Sequence, residues 1–334
     1  MTENINKKVE ALTFWQQPIL CEPVKGGITN LNFRVEHGNE MFFVRLGEDI
    51  PEHGVYRFNE LAASRAAFAC GISPEVVHAE SGAMVLRFIE GKTLVEEDLR
   101  DSSNLGKVLS LLNKCHRQMP QHLPGSTLIF WVFQVIRGYA KTLREGNSRM
   151  IPQLQNFLNI NADLEKTIGT IDLCFGHNDL LSGNFIDDGR RLWLIDWDYA
   201  GFNSPLFDLA NLASNNEFPE NLEQELLELY FEQTISAVLW KRYFAMKCAS
   251  LLREAMWSMV SEIHSTLDFD YVKYTTDNLE RFEKSFAQFE KLRQTLYQNR
   301  HKSLSSVEAS LVAVSLIIWQ KKVRKMCFCW SADN

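Results

Sequence analysis

Residues 176–198 read Gly-His-Asn-Asp-Leu-Leu-Ser-Gly-Asn-Phe-Ile-Asp-Asp-Gly-Arg-Arg-Leu-Trp-Leu-Ile-Asp-Trp-Asp, and they are the most informative part of this 334-residue chain. Asn184 follows Asp179 by five positions, and Asp196 follows Asn184 by twelve. Between the last two lie the turn signal Asp-Asp-Gly and the short apolar run Leu-Trp-Leu-Ile. The pattern predicts one β-hairpin with Asn184 at its start and Asp196 at its end.

Such a hairpin would have a definite chemistry. It would bring the amide oxygen of Asn184 next to the carboxylate of Asp196, and hard cations such as Mg²⁺ prefer oxygen ligands. Asp179, on the preceding loop, would remain as a base for a substrate hydroxyl. This is the spacing of the catalytic loop of kinases. Asp and Asn are also common in turns for local reasons, so the hypothesis needs a nucleotide-binding region upstream.

Composition narrows the class of protein. The net charge of −7 argues against a general nucleic-acid binder, which needs a basic face. Seven cysteines without framework spacing indicate reduced thiols and a cytoplasmic protein. The N-terminus lacks the apolar core of a signal peptide, and no apolar run reaches the length of about 20 residues that a membrane span needs. Contents of 46% apolar and 23% charged residues are ordinary for a globular protein.

Periodicity predicts a β-rich N-terminal region with one inserted helix. Turn signals containing Gly or Asn separate the candidate strands, and Gly71 ends the inserted helix. The predicted elements are a lead helix over 4–15, strands over Ile19–Val24, Asn32–Val35 and Met41–Leu46, a helix over Tyr56–Cys70, and strands over Val76–Ala79 and Met84–Ile89.

A polar, glycine-containing loop joins the first two predicted strands. Gly26 and Gly27 allow a tight turn and a close approach of the backbone to a ligand, and Thr29 and Asn30 add polar side chains. A Gly-Gly turn is more often purely structural, and this one matches neither the Walker A motif nor the glycine-rich loop of protein kinases. The four residues are nevertheless candidates for nucleotide binding.

Three charged residues complete the nucleotide-binding candidates. Arg45 lies within the third strand, where kinases carry the cation that holds the nucleotide phosphates, although a lone basic residue in a strand more often faces solvent. Glu60 lies in the first half of the inserted helix, where a partner for Arg45 is expected. Glu90, followed by Gly91, comes after the fifth strand as a hinge, and Glu90 is the third candidate.

The remainder of the chain is predicted to be mainly helical. His116 is expected to be packed and hydrogen-bonded rather than catalytic, and Asp208 to accept bonds from its own first helical turn or from the catalytic loop. The sequence thus predicts an α+β, bilobal, protein-kinase-like fold with a small β-rich N-lobe, a large helical C-lobe and a tail. The predicted boundaries are 1–90, 91–300 and 301–334, and the predicted helices are Leu105–Gln118, Phe130–Arg144, Ile151–Ile168, 207–213, 221–236, 239–264 and 270–299.

Five short motifs carry a resemblance to a known family. They are Gly-Gly-Ile-Thr-Asn at 26–30, Phe-Val-Arg-Leu at 43–46, Phe-Ile-Glu-Gly at 88–91, His-Asn-Asp-Leu-Leu-Ser-Gly-Asn at 177–184 and Ile-Asp-Trp-Asp-Tyr-Ala-Gly-Phe-Asn at 195–203. On these motifs the chain resembles the choline/ethanolamine kinases, in the aminoglycoside-phosphotransferase-like branch of the protein-kinase fold, over residues 18–290. Arg45 fits that group, in which Arg tends to replace the Lys of protein kinases.

The resemblance implies a role for each residue of the loop and hairpin. Asp179 would be the base, Asn184 and Asp196 would hold Mg²⁺, and Arg45 would contact the phosphates of ATP. A later segment, Leu251–Tyr274, resembles the part of choline kinases that forms the choline pocket. The implied cofactors are ATP and Mg²⁺, and the implied partner is a small amino alcohol.

The same resemblance places Trp257 and Tyr274 in the acceptor pocket, with Tyr199 adjoining. Aromatic faces suit a trimethylammonium group, at about 0.5–2 kcal/mol per cation–π contact. Glu254 departs from the family pattern, because the best-known choline kinases carry another aromatic residue there. Glu254 shares a helix face with Trp257 and would serve either a quaternary or a primary ammonium. For a Trp/Tyr pair alone, core packing is the usual explanation.

Phosphorylation of choline is therefore the leading hypothesis for the function. Ethanolamine, thiamine and an aminoglycoside are alternative acceptors, although several ammonium groups would call for a broader acidic rim than a single Glu. A pseudokinase that binds without turnover would be expected to have lost part of the trio Asp179, Asn184 and Asp196, and all three are present. The sequence does not specify the oligomeric state.

The tail lies outside the resemblance. An apolar run over Val307–Trp319 precedes a basic segment, so the tail could contact a membrane surface or a partner, or have no function. A run of 13 residues is too short to span a bilayer, which takes about 20 apolar residues.

Overall fold

The computed structural model describes residues 2–24 and 30–298. By its internal contacts the chain divides into two compact units, Met1–Ser285 and Phe286–Asn334. All the candidate site residues that are described belong to the first unit. Four predicted features lie outside the described residues, namely Gly26, Gly27, Thr29 and the tail 301–334.

A five-stranded antiparallel sheet forms most of the N-terminal region, with the strand order β1-β2-β3-β5-β4. Because alternate residues of a strand share a face, Phe33 and Val35 of one strand and Phe42 and Val44 of the next lie in a common buried cluster. The five predicted strands are thereby confirmed. Their bounds are β1 (Leu20–Val24), β2 (Leu31–His37), β3 (Glu40–Leu46), β4 (Val76–Glu80) and β5 (Ala83–Arg87).

The lead helix is shorter than predicted. The sequence predicted a helix over 4–15, but α1 (Thr2–Glu10) ends at Glu10. Thr13 is instead bound to the sheet, because its backbone N–H and its hydroxyl both donate to Glu80 Oε2, at 3.1 and 2.6 Å. Phe14 packs edge-on against a sheet residue. Tertiary contacts of the two residues therefore override the local helical pattern.

The inserted helix, α2 (Arg57–Ala69), joins β3 to β4 as predicted. Its buried residues include the polar Asn59 and Glu60 in the first half. Gly71 adopts a left-handed conformation with φ of +67° and ends the helix, which is the role expected of glycine there.

Helices make up most of the chain after residue 95, as predicted. The helix predicted over 221–236 is too long, because Glu232 adopts a left-handed conformation with φ of +53° after Phe231, and the Ser236 hydroxyl then caps the next helix. The helices are α3 (Glu96–Arg100), α4 (Ser102–Arg117), α5 (Val132–Glu145), α6 (Ile151–Ile168), α7 (Pro205–Asn215), α8 (Glu220–Phe231), α9 (Ala237–His264) and α10 (271–298).

Short strands carry the predicted catalytic stretch. They form a three-stranded sheet of β6 (Lys92–Thr93), β8 (Phe185–Asp187) and β9 (Leu192–Leu194), and a pair of β7 (Cys174–Gly176) with β10 (Gly201–Asn203). The predicted hairpin is confirmed, because β8 and β9 pair antiparallel, Asn184 directly precedes β8, and Asp196 follows β9 by two residues. A sheet region followed by a mainly helical region is the predicted α+β architecture.

Candidate active site

The loop that carries Asp179 is fastened to the end of the hairpin by His177. The His177 Nδ1 atom accepts the backbone N–H of Asp179 at 3.2 Å, so its Nε2 carries the proton and donates to the carbonyl of Ile195 at 2.9 Å. Burial lowers the pKa of His177, which keeps the ring neutral. Asn178 adopts a left-handed conformation with φ of +67°. The tight turn thus holds Asp179 beside the strand that leads to Asp196.

A buried carboxylate at the start of α7 anchors the same loop. Asp208 accepts the backbone N–H groups of His177 and Asn178, both at 2.8 Å. It also accepts a bond from His116 Nε2 at 2.9 Å, and His116 Nδ1 contacts the hydroxyl of Tyr230 at 2.7 Å. Of the two alternatives for Asp208, the bonds to the catalytic loop are therefore the ones observed. The prediction of a packed, hydrogen-bonded His116 is confirmed.

Asn184 and Asp196 lie at the two sides of the hairpin's open end. Asn184 Nδ2 donates to the backbone carbonyl of Asp179 at 2.8 Å, which leaves the side-chain oxygen of Asn184 as a ligand atom. The carbonyl of Asn184 accepts the N–H of Ile195 at 3.0 Å. Asp196 has a left-handed backbone, with φ of +69°, and a side chain that is 25% exposed.

The donor set of this open end suits a magnesium ion shared with a nucleotide. Among the described residues, no group of three or more His, Cys, Asp or Glu side chains is arranged to hold a metal by itself. Mg²⁺ is commonly bound by one or two carboxylates together with substrate phosphates, rather than by a complete protein cage. One amide oxygen and one carboxylate therefore fit the ion.

Arg45 is buried at the centre of an ion cluster that connects the sheet to the hairpin. Its guanidinium lies 2.5 Å from Glu60, 2.8 Å from Asp196 and 3.0 Å from Asp198, measured between nitrogen and oxygen. Arg57 contacts Glu60 at 2.5 Å and Asp198 at 2.9 Å. The expected pairing of Arg45 with Glu60 is observed, whereas the sequence analysis missed Asp198 and Arg57.

The charges of this cluster are strongly coupled. Burial by itself would raise the pKa of Asp196, but the Arg45 guanidinium outweighs it and holds the pKa below its usual value. Burial and the neighbouring Asp196 raise the pKa of Asp198 to about 7. Asn30, a candidate from the glycine-containing loop, donates through Nδ2 to Asp198 at 3.0 Å. Asp196 therefore remains ionised, as a metal ligand needs to be.

Further contacts tie the inserted helix and its following turn to the hairpin. Asn59 Nδ2 donates to the carbonyl of Ala200 at 2.8 Å. The carbonyl of Ile72 accepts the N–H of Leu194 at 2.9 Å, and the hydroxyl of Ser73 accepts a bond from Trp197 Nε1 at 2.8 Å. These contacts join residues more than 120 positions apart, so no local pattern announces them.

We expect Arg45→Lys to keep part of the activity and to raise the KM for ATP by about ten- to a hundredfold, because a charge-assisted hydrogen bond contributes roughly 1.5–3 kcal/mol. A lysine keeps the charge but cannot reach three carboxylates at once. Arg45→Ala would also destabilise the fold by about 3–5 kcal/mol, since it leaves buried carboxylates without their main partner. Steady-state kinetics and thermal unfolding measure the two effects.

The control for this prediction is Arg149→Lys, where the side chain is 49% exposed, pairs with Glu262 at 2.8 Å and does not line the cavity. It should leave both KM values unchanged. An Arg45 effect confined to the KM of the acceptor would show that Arg45 does not serve the nucleotide.

A cavity of about 620 Å³ lies between the sheet and the hairpin and contains the candidate residues. Arg45, Glu60, Asp179, Asn184 and Asp196 all line it. Glu90, whose side chain is exposed, does not line it, although its neighbours Phe88, Ile89 and Gly91 do. Apolar side chains suited to a nucleotide base line the end near the sheet, namely Val24, Phe43, Met84, Leu86, Phe88, Ile89 and Ile186.

The other end of the cavity is aromatic. Tyr199, Trp257 and Tyr274 line it together with Glu254, so the structure brings the four acceptor candidates together. Trp257 Nε1 donates to the Tyr199 hydroxyl at 2.8 Å, and the rings of Trp257 and Tyr274 meet edge-on with centroids 6.3 Å apart. The Tyr274 hydroxyl donates to Glu254 Oε1 at 2.9 Å.

Two buried residues of this end were not predicted. Arg253 Nη1 donates to Glu254 Oε2 at 2.9 Å and lies 3.8 Å from Asp179 Oδ1. His53 packs against the ring of Trp257, with centroids 5.0 Å apart. Arg253 and Glu254 are the only charged residues in the run 248–260, which is a signal that the sequence analysis could have used. His53 comes from a loop after β3 and carries no local signal.

Asp179 is electrostatically unusual. Burial, opposed by Arg253 and reinforced by Glu254, raises the pKa of Asp179 to about 8. A carboxylate with a pKa near the working pH is well suited to take a proton from an alcohol. The catalytic loop, the hairpin and the two-ended cavity together define a phosphotransferase of the protein-kinase-like fold.

Comparison with known proteins identifies the family. A sequence model described as choline/ethanolamine kinase matches residues 21–225, more than half of the chain. This chain therefore belongs to the choline/ethanolamine kinase family, and it is an ATP-dependent phosphotransferase that acts on an alcohol group.

Individual relatives have low sequence identity to this chain, but the similarity extends over most of its length. A probable ethanolamine kinase of Arabidopsis thaliana is 28% identical over 287 residues, which cover 76% of this chain and 76% of that protein. Protein LicA of Haemophilus influenzae is 27% identical, over 86% of this chain and 85% of LicA. The crystal structure of a choline/ethanolamine kinase family protein from Mesorhizobium loti matches with a TM-score of 0.71 and 26% identity, over 87% of this chain and 97% of that one.

Two general expectations can also be compared with the structure. Within the described residues, none of the helices is both long and apolar enough to cross a membrane. In the described part of the chain, Cys21, Cys70, Cys115 and Cys174 are free thiols.

Proposed function

We propose that this protein transfers the γ-phosphate of ATP to the hydroxyl of choline, with Mg²⁺ as cofactor, and so forms phosphocholine. The observation that carries the proposal is the aromatic end of the cavity, where Tyr199, Trp257 and Tyr274 surround the space beside Asp179 and Glu254 supplies one negative charge. A quaternary ammonium is weakly hydrated and donates no ordinary hydrogen bonds, so rings and a nearby charge are what it needs.

The bonding of Glu254 favours choline over a primary amine. One carboxylate oxygen already accepts the Tyr274 hydroxyl and the other accepts Arg253 Nη1, each at 2.9 Å. A primary ammonium has three donors to satisfy in a buried site, and unsatisfied donors are costly. A trimethylammonium group has none, so the remaining charge of Glu254 is sufficient for it.

The residues near the hairpin would have distinct tasks. Asp179 would orient the choline hydroxyl and accept its proton, as a carboxylate with a raised pKa can do near neutral pH. Asn184 and Asp196 would hold the magnesium ion, which neutralises charge on the phosphates when it is bound. Arg45 would turn from its carboxylate partners towards the phosphates, and His177 and Asp208 would keep the loop in place.

Ethanolamine is the second candidate, and Glu254 is also the observation that favours it. Each carboxylate oxygen can accept more than one hydrogen bond, so a primary ammonium could still bind there. Among the relatives, the Arabidopsis thaliana protein carries the name of a probable ethanolamine kinase.

A coupled assay of ADP release with choline, ethanolamine, thiamine and kanamycin as acceptors tests the proposal. We expect kcat/KM to be highest for choline. A higher value for ethanolamine would move the assignment to the second candidate, and a preference for kanamycin or thiamine would exclude both. Failure of every acceptor to stimulate ADP release, with ATP still bound, would indicate a pseudokinase.

We expect Trp257→Ala to raise the KM for choline by about ten- to thirtyfold, because the loss of one cation–π contact corresponds to about 1.4–2 kcal/mol. The KM for ATP should stay within about twofold, since the change lies at the other end of the cavity. Trp257→Phe should recover part of the loss, because a smaller ring remains. Initial rates at varied choline and ATP concentrations measure these changes.

Trp257 is also buried, at 4% exposure, so a control for packing is required. Trp131→Phe changes a tryptophan that does not line the cavity and binds Glu165 instead, and it should leave choline kinetics unchanged. Unaltered choline kinetics in a folded Trp257→Ala variant would mean that the ring is packing and not part of the choline site.

A further inference from the structure

The acceptor end of the cavity already contains a cation of its own. Arg253 is buried at 1% exposure on α9, in a helix segment that is buried on all sides. A buried ion pair contributes little net stability, and apolar residues of similar volume often serve as well. The position of this guanidinium beside Asp179 therefore calls for an explanation other than the stability of the helix.

Arg253 covers an aromatic face of the pocket. Its guanidinium carbon lies 4.4 Å from the centroid of the Tyr199 ring and 5.6 Å from that of Phe130. Both distances are within the range of a cation–π contact. The π face of Tyr199 that Arg253 occupies is thus closed to an ammonium group of the substrate, and Trp257 and Tyr274 remain for it.

Arg253 also sets the charge of the pocket. Its Nη1 atom is 2.9 Å from Glu254 and 3.8 Å from Asp179, so it lies between the two carboxylates. Above about pH 8, where Asp179 is ionised as well as Glu254, the three side chains sum to minus one. One bound ammonium balances that charge, whereas a second ammonium would meet an excess of positive charge at a distance of only a few ångströms.

We infer that Arg253 is a specificity-determining residue, which restricts the acceptor to alcohols that carry a single positive charge and excludes those with two or more. The inference rests on the proposed amino alcohol site and deepens it. It adds that selection against polycationic alcohols comes from an internal guanidinium and not from the size of the pocket.

A pair of acceptor analogues of equal size separates charge from shape. In the first, one N-methyl group of choline is replaced by a 2-(trimethylammonio)ethyl group, which gives two permanent charges. In the second, the same position carries a 3,3-dimethylbutyl group, which has the same shape and leaves one charge. Calorimetric titration at pH 9.5, in the presence of Mg²⁺ and a non-hydrolysable ATP analogue, measures the affinity of each analogue. The quantity compared is the affinity for the doubly charged analogue divided by that for the singly charged one.

Three variants change the charge of the pocket in steps. Glu254→Gln brings it to zero, Arg253→Met to minus two, and the double variant Arg253→Met/Glu254→Gln back to minus one. Each step should shift the affinity ratio by about ten- to a hundredfold, from Coulomb's law for unit charges about 6 Å apart at an effective dielectric constant near 20. We expect the ratio to be lowest in Glu254→Gln, equal in the wild type and the double variant, and highest in Arg253→Met.

The decisive comparison does not need the single Arg253 variant, which leaves Glu254 buried without its partner and can fail to fold. Glu254→Gln and the double variant differ only at residue 253. Both lack the carboxylate of Glu254, so neither contains this buried charge without its partner. Equal ratios in these two proteins would overturn the inference. Arg137→Met, which removes an arginine paired with Glu165 away from the cavity, should leave the ratio at the wild-type value.

The ratio is a binding measurement, so it is independent of which amino alcohol is the better substrate. An enzyme that prefers ethanolamine but shows the expected order of ratios would contradict the choline assignment and support the role of Arg253. Conversely, choline turnover with equal ratios would support the function and refute the role of Arg253. If the wild type turned over choline but bound neither analogue, the size of the pocket would be the selecting feature, which would refute the role of Arg253 and leave the choline assignment in place.

Discussion

Asp179→Ala is expected to lower kcat by about a thousandfold, because a positioned general base typically contributes 10²–10⁴. The KM for ATP should remain within about twofold, since phosphoryl transfer depends mainly on positioning and charge stabilisation of the nucleotide by other groups. The loop itself should persist, because the backbone N–H groups of His177 and Asn178 bind Asp208 and not Asp179. Single-turnover kinetics with choline and a nucleotide-binding titration measure the two effects.

The raised pKa of Asp179 adds a pH dependence. Burial and Glu254 raise the pKa of Asp179 to about 8, although Arg253 acts in the opposite direction. Because the base acts in its deprotonated form, kcat/KM for choline should fall tenfold for each pH unit below about pH 8. Choline keeps its charge at every pH, so the profile reports the enzyme. A variant without Asp179 should lose this limb, and wild-type turnover in Asp179→Ala would refute the assignment of the base.

A matched variant, Asp179→Asn, separates catalysis from folding. A carboxyl whose pKa is higher in the folded than in the unfolded state lowers the free energy of unfolding at pH values above the pKa of the unfolded state. The effect vanishes at low pH, where the carboxyl is protonated in both states. Asp179→Asn should therefore raise the melting temperature at pH 8–9 and lose that advantage below about pH 4. A lower melting temperature at pH 8 would indicate that the charge of Asp179 supports the fold.

Asp196→Ala is expected to abolish turnover by a different route. Without the carboxylate that would hold the metal, the transition state loses several kcal/mol of charge stabilisation. A loss of about 4 kcal/mol lowers the rate nearly a thousandfold. Nucleotide affinity should also become insensitive to Mg²⁺, which distinguishes this variant from Asp179→Ala. Titrations of ATP with and without Mg²⁺, followed by calorimetry, measure the difference.

The fold should survive this second substitution. Arg45 keeps its contacts with Glu60 at 2.5 Å and Asp198 at 3.0 Å when Asp196 is removed. Asp196→Asn keeps an oxygen ligand and loses the charge, so it should retain a weak dependence on Mg²⁺. If nucleotide binding by Asp196→Ala remained as dependent on Mg²⁺ as that of the wild type, the ion would have to be held elsewhere.

The sequence predicted the parts of the site whose relations are local. The hairpin that joins Asn184 to Asp196 follows from the turn signal Asp-Asp-Gly and the short apolar run Leu-Trp-Leu-Ile after it. The pairing of Arg45 with Glu60 spans only 15 positions and joins two consecutive elements. The architecture of a sheet followed by helices could likewise be read from the change in periodicity.

The parts that were missed depend on contacts between distant segments. Arg253 reaches Asp179 from a helix 74 positions later, and Arg57 reaches Asp198 over 141 positions. No spacing rule relates such residues, because their proximity is created only when the elements pack. The early end of α1 has the same cause, since Thr13 is drawn to Glu80 across 67 positions.

The attachment of the inserted helix to the hairpin has a mechanical consequence. Asn59 and Ser73 belong to α2 and its following turn, yet their partners Ala200 and Trp197 belong to the segment around the metal-binding end. A rigid-body rotation of the whole sheet region away from the hairpin would have to break these buried hydrogen bonds, and each would cost about 1–3 kcal/mol. Widening of the cleft would also have to separate Arg45 of β3 from Asp196 and Asp198, so that both the sheet and α2 resist opening.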